Sequence, residues 1–259
     1  MNGNDIYKAL EEAFPRTLAY EWDNVGVMIG TMNKPITHVF VTLDVTKDCL
    51  KAAKEAGADL IIAHHPLIFT AFNAIHYDTY KGQLIRDIIK SDITIFAAHT
   101  NYDIARGGMN DMLAMKLGLV QTTQLSPVDE THGLGRIGKF PSKIPLNDAI
   151  KSIKTALDIP DARYIGAKGN KTIETVALIG GSGSDFASQA KAKGADLYIT
   201  GDVTYHKAHE MLEMGLCVLD VGHSAEKHFK QALRDWMKTR FSELKISIYE
   251  PSQNPYMHV

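Results

Sequence analysis

Residues 39–66, VFVTLDVTKDCLKAAKEAGADLIIAHHP, align without a gap on residues 176–203, VALIGGSGSDFASQAKAKGADLYITGDV, at a constant offset of 137 positions. Nine of the 28 positions are identical, including Gly-Ala-Asp-Leu at 57–60 and 194–197, where average residue usage would give about two. Each segment reads as strand, helix, strand: an aliphatic run, an amphipathic stretch that stops at a glycine, and a second aliphatic run. A βαβ unit restricts the fold strongly, because it demands parallel pairing and a covered sheet. Two such units imply an internal duplication and two related α/β lobes, against the blander reading that similar units share a common helix and strand composition.

The first lobe continues the alternation. HVFVTLDV (38–45) reads as a strand, TKDCLKAAKEAG (46–57) as a helix and DLIIAHH (59–65) as the next strand. A helix over 79–91, a strand over 93–100 (ITIFAAHT) and an amphipathic helix over 109–119 follow. The stretch PVDETHGLGRIGKFPSKIPL is rich in Gly and Pro, which places a lobe boundary near residue 125. The lobes are thus 1–125 and 126–259, with the C-terminal segment able to pack back on the first. At about 150 residues per domain, 259 residues supply one large or two modest cores.

Composition excludes several function classes. There are 28 basic and 30 acidic residues, so no basic footprint points to nucleic acid. The start, MNGNDIYKALEEAF, has acids where a signal peptide needs a basic start and an apolar core, and no apolar run reaches membrane-spanning length. A cytoplasmic protein is the expectation. The two cysteines, Cys49 and Cys217, sit in apolar stretches and read as buried thiols. Any metal here must therefore use nitrogen and oxygen donors.

The chemistry gathers at strand ends. GADLIIAHHPLIF ends an aliphatic run on adjacent histidines, His64 and His65. In the aligned second copy these positions are Gly201 and Asp202. The next strand of the first half stops at His99, with Asp103 four residues on; its counterpart LCVLDVGHSAE stops at His223, with Glu226 three residues on. Open α/β sheets bind ligands at the carboxyl ends of strands. If the strand stops at His64, two divergent imidazoles suit two ions held about 3.5–4 Å apart, with Glu226 as a bridging carboxylate. The bland alternative is a pair of hydrogen-bonded histidines at a sheet edge.

The segments EWDNVGVMIG (21–30), IIAHHPLIF (61–69), AAHTNYDIARGGMND (97–111), GLGRIG (133–138), YITGDVTYH (198–206) and DVGHSAEK (220–227) occur in the order of the motifs of a known family. The chain resembles the NIF-three-like dinuclear metal-centre proteins, often labelled GTP cyclohydrolase 1 type 2 homologues. The resemblance implies a two-lobed α/β fold with a paired metal site in the cleft between the lobes, and trimers assembled into a ring-shaped homohexamer. It also implies the ligands His64, His65, Asp103, His223 and Glu226. Some members insert a small central domain, and 259 residues leave room only for the short form. The two divalent ions suit iron, zinc or manganese alike.

Two further histidines are candidate catalytic residues. His99 reads as a partner of the ligands or a substrate contact, and His206 as an acid–base group near the metals. His206 and His209 also share a helix face, but with no cysteine nearby a separate zinc site is disfavoured. LIGGSGSDF (178–186) is a glycine-rich turn whose amides could cradle a phosphate, though it lacks a P-loop lysine and reads better as a tight turn. The leading reading is a metal-dependent hydrolase of a small, nucleotide-like substrate, in which one ion acidifies water and the other polarises the substrate. The other is a non-catalytic metal carrier or interaction module.

Overall fold

The structure, a computed structural model, describes residues 1–167 and 171–256. In chain order these residues form α1 (Gly3–Ala13), β1 (Gly26–Ile29), β2 (His38–Thr42), α2 (Lys47–Ala56), β3 (Leu60–Ala63), α3 (Tyr80–Ser91), β4 (Thr94–Ala97), α4 (Thr100–Ile104) and α5 (Met109–Lys116). There follow β5 (Val120–Pro127), β6 (Gly133–Pro145), α6 (Leu146–Ala156), β7 (Arg163–Ile165), β8 (Thr172–Ser182), α7 (Ala187–Ala192) and β9 (Leu197–Gly201). The chain closes with α8 (Tyr205–Glu213), β10 (Val218–Asp220), a 3₁₀ turn (His223–His228), α9 (Phe229–Arg240) and β11 (Lys245–Ile248). Among the described residues no helix is long and apolar enough to cross a membrane.

The chain divides into two compact units, Met1–Tyr102 with Phe229–Val259, and Asp103–His228. The C-terminal helix and strand thus belong with the N-terminal unit, where β11 pairs in parallel with β2. The Gly- and Pro-rich stretch around residue 125 lies inside the second unit. Its backbone is taken up by the antiparallel ladder of β5 and β6, with Gln124 opposite Arg136.

The first unit carries a five-stranded sheet of order β1-β4-β3-β2-β11. Its central strands read LIIA and TIFA and are buried throughout, as expected of parallel strands covered on both faces. Cys49, Leu50 and Ala53 of α2 and Leu84 and Ile88 of α3 pack with Phe40, Ile61 and Ile95. Further apolar packing joins Phe14 to Trp236 at 5.0 Å and Tyr102 to Phe229 at 5.0 Å between ring centres. Burial pushes the Cys49 thiol up to about 11, so it stays protonated and inert; both cysteines are free and buried.

The second unit carries a six-stranded sheet of order β5-β6-β8-β9-β10-β7. Its core strands repeat the first unit's register. Val39 pairs with Leu60 and Val41 with Ile62 in the first, and Val176 with Leu197 and Leu178 with Ile199 in the second. Each of these residues keeps the 137-residue offset.

The helix ends repeat as well. Gly57 and Gly194, at φ 72° and 77°, end α2 and the helical segment 187–193 with the same pair of backbone bonds. Ala58 N donates to Ala53 O at 2.9 Å, and Ala195 N to Ala190 O at 3.0 Å. The next residue is an aspartate whose side chain binds two successive amides of the preceding strand segment, at the start of β2 in the first unit and within β8 in the second. Asp59 Oδ2 accepts from Thr37 N (2.7 Å) and His38 N (3.0 Å), while Asp196 Oδ2 accepts from Glu174 N (3.0 Å) and Thr175 N (2.8 Å). Convergence on helix and strand composition does not explain matching side-chain bonds of this kind.

Candidate metal centre

In the first unit β3 stops at Ala63, so His64 and His65 leave the sheet at its carboxyl edge. Their amides still extend the ladder: His64 N donates to Thr42 O at 3.2 Å and His65 N to Leu43 O at 3.0 Å. Because the strand has ended, the rings do not alternate faces. They lie side by side, 5.1 Å between centres. His99 follows β4 on the neighbouring strand, 5.2 Å from the His64 ring and 5.7 Å from that of His65. One donor atom from each of the three lies within 4.8 Å of the others.

The Nδ1 atoms are all committed. His64 Nδ1 lies 2.7 Å from Ala98 O, His65 Nδ1 2.8 Å from Asp44 Oδ1 and His99 Nδ1 2.9 Å from Asp23 Oδ1. A carbonyl or ionised carboxylate only accepts, so each Nδ1 carries a proton, and in the neutral ring Nε2 then holds the lone pair. Burial would raise the Asp23 carboxyl, but bonds from His99 and Thr100 outweigh it and hold it below the usual carboxylate range. Metal-binding histidines have this arrangement, with the remote nitrogen donating to an oxygen that fixes tautomer and ring orientation.

In the second unit Asp103, His223 and Glu226 gather. Carboxylate oxygens of Asp103 and Glu226 lie within 4.8 Å of each other, and both residues are buried. His223 likewise meets a carboxylate through Nδ1, 2.7 Å from Asp202 Oδ2, but its Nε2 also lies against one, 3.1 Å from Glu226 Oε2. Two donors on one tetrahedral ion at about 2.1 Å lie roughly 3.4 Å apart, so this spacing suits a shared ion. The chemistry of both donor sets fits divalent metals of the imidazole-and-carboxylate class.

The surroundings of Glu226 explain the glycine-rich turn. Gly181 has φ +64°, and a Cβ there would sit 2.3 Å from Glu226 Oε1, so only glycine leaves space for the carboxylate. Gly180 N donates to Asn110 Oδ1 (2.9 Å) and Gly183 N to Thr200 Oγ1 (2.8 Å). These amides stabilise a tight turn instead of facing a phosphate. Asn110 also donates through Nδ2 to Asp103 O at 2.9 Å, which connects the Asp103 backbone to the same turn.

His206 lies on α8, exposed, its ring 5.5 Å from that of Tyr205. Among the described residues neither His206 nor His209 belongs to a group of three metal donors. Sequence reasoning missed Asp44, Asn110 and Gln253. Asp44 had a signal, an acid just after β2 at the same sheet edge as His65. Gln253 had none, because it approaches that edge from 209 residues away.

A family profile, Duf34/NIF3 (NGG1p interacting factor 3), matches residues 1–255. The chain belongs to the Duf34/NIF3 family. A Clostridium perfringens protein named GTP cyclohydrolase 1 type 2 homolog is 43% identical over 99% of both chains. A Halalkalibacterium halodurans protein of the same name is 30% identical over 94% of each, in an alignment of 351 positions. That exceeds the length of this chain, so the relative carries sequence that this one lacks. A solved structure of a Bacillus cereus protein related to NIF3 superposes at a TM-score of 0.96, with 30% identity, covering 100% of this chain and 99% of that one.

Proposed function

We propose that this Duf34/NIF3 chain is a dinuclear divalent-metal protein that works as a metal-dependent hydrolase on a nucleotide-like substrate. His64, His65 and Asp103 would hold the ions together with His223 and Glu226, Glu226 touching both. The observation that supports this best is a shared orientation: His64, His65, His99 and His223, all just past strand ends, each bind an oxygen through Nδ1, so the same ring nitrogen, Nε2, is the one a metal would take. Edge histidines in a purely structural role have no need of one common ring orientation.

Ions bound there would supply Lewis acidity and lower the pKa of water toward about 7. The chain's own residues then orient and move protons. His99, held on Nδ1 by Asp23, would use Nε2 to accept a proton or position the substrate. His206 is the proposed acid–base group of the second unit. The family resemblance supports a homohexamer, a dimer of trimers, and we place the protein in the cytoplasm as expected from the sequence.

The substrate class is suggested by the name that the relatives bear, GTP cyclohydrolase 1 type 2 homolog. The test is a screen of metal-loaded protein against nucleotides, phosphoesters and cyclic amides, with Asp103→Ala as control. Hydrolysis that disappears with the metals supports the enzyme. Hydrolysis that survives their loss in Asp103→Ala favours a carrier or interaction module, a role in keeping with the phrase "interacting factor" in the family's description.

A further inference from the structure

The loop of residues 20–24 is anchored unusually well for a surface turn. Tyr20 N donates to Thr100 Oγ1 at 3.2 Å, and Asp23 N closes the turn on Tyr20 O at 2.9 Å. The Asp23 carboxylate takes His99 Nδ1 on one oxygen and both the amide and hydroxyl of Thr100 on the other. Asn24 Nδ2 donates to Ile68 O at 2.6 Å, which fixes the backbone beside Phe69.

On this rigid loop Trp22 is 58% exposed. Its indole lies almost parallel to the Tyr20 ring, 16° apart and 5.4 Å between centres. The Phe69 ring, 52% exposed, inclines at 53° to it at 5.8 Å. The His99 imidazole meets it edge-on at 6.4 Å. Tryptophan is highly buried on average. Here a network of hydrogen bonds holds one in the open, backed on one side by a second ring, within one ring of the imidazole cluster.

We propose that Trp22, backed by Tyr20 and bordered by Phe69, is the stacking site for a planar nitrogen heterocycle of the substrate, a purine or similar fused ring. The polar remainder of the molecule then points past His99 toward His65 and His64. A flat ligand suits this surface because the open indole face extends an existing ring stack, and ring faces attract other rings in offset or edge contacts. The inference rests on the hydrolase reading for its orientation, but other side chains carry it.

Trp22 and Trp236 are the chain's two tryptophans, so Trp236→Phe leaves Trp22 as the sole tryptophan of the full-length protein, and excitation at the red edge of the indole band reads it apart from the tyrosines. Guanosine should quench its emission saturably, and ribose 5-phosphate at equal concentration should not. Trp22→Ala should weaken guanosine binding in equilibrium dialysis by about 5- to 150-fold, the range for loss of one base–aromatic stack, with metal content unchanged by elemental analysis. Equal quenching by ribose 5-phosphate, no quenching by guanosine, or undiminished guanosine binding by Trp22→Ala overturns the proposal. So does failure of acrylamide to reach Trp22, which would mean that another copy covers the indole. Protein that answers to guanosine but holds no metal sinks the hydrolase reading alone; protein that holds two ions and ignores guanosine sinks this one alone.

Discussion

His65 Nδ1 donates to Asp44 Oδ1 across 2.8 Å, which joins the segment just past β3 to the second residue beyond the end of β2. Partners of this kind set ligand orientation and basicity, and their loss costs about 10- to 100-fold in metal affinity. Asp44→Ala should lose affinity in that range while the fold survives, since the carboxylate is partly exposed. Competition titration against a chelator reads the change. An affinity within about twofold of the wild type would exclude Asp44 from the centre.

Asp44 is held in turn by Gln253. The Gln253 Oε1 accepts from Thr42 Oγ1 (3.0 Å), Leu43 N (3.1 Å) and Asp44 N (3.3 Å), and its Nε2 donates to Asp44 O (2.7 Å). The carbonyls of Thr42 and Leu43 carry the His64 and His65 amides, so this one side chain braces the whole edge. At about 1 kcal/mol per bond, Gln253→Ala should release the Leu43 and Asp44 amides to faster hydrogen exchange and lower metal affinity several-fold. Unchanged exchange at both amides would show the brace to be dispensable.

The stoichiometry prediction separates one ion from two. Saturated protein should hold two divalent ions per chain, and Glu226→Ala should lose more metal than His64→Ala because Glu226 is assigned to both. Elemental analysis after loading with iron, zinc and manganese in turn decides it. A ceiling of one ion under every metal would end the dinuclear reading.

What the sequence revealed follows the range of each interaction. The duplication was legible because the residues that repeat, Gly57, Asp59 and Leu60 against Gly194, Asp196 and Leu197, make local bonds that recur at the same offset. The histidine and carboxylate positions were legible as strand ends. The return of the C-terminal helix and strand to the first unit, which the sequence allowed for, is settled by β11 pairing with β2, whereas the Gln253 brace spans more than 200 residues and no local pattern encodes it. The same limit applies to EWDNVG. Its spacing did not indicate that Asp23 orients His99, because that bond joins positions 76 residues apart.

The last prediction concerns His38, which lies on β2 away from the proposed ligands. Its Nδ1 faces Ala56 O at 3.0 Å and its Nε2 faces Ser247 Oγ at 2.9 Å. Burial, then the positive charge of Lys245, depress its pKa below the ordinary imidazole value, while the Ala56 carbonyl and Asp59 pull the other way without prevailing. The folded chain therefore resists protonation at this site. Its contribution to stability is complete above the unfolded value of about 6.5 and is lost as the pH falls from there through the depressed folded value. Metal-free protein should show a falling Tm between pH 7.5 and 5.5, and His38→Gln, which keeps a hydrogen-bonding side chain that does not titrate, should show a flatter fall over the same window. Thermal unfolding after chelator treatment measures both, with metal release removed as a cause. Parallel curves for the two proteins would mean that other groups carry the acid sensitivity.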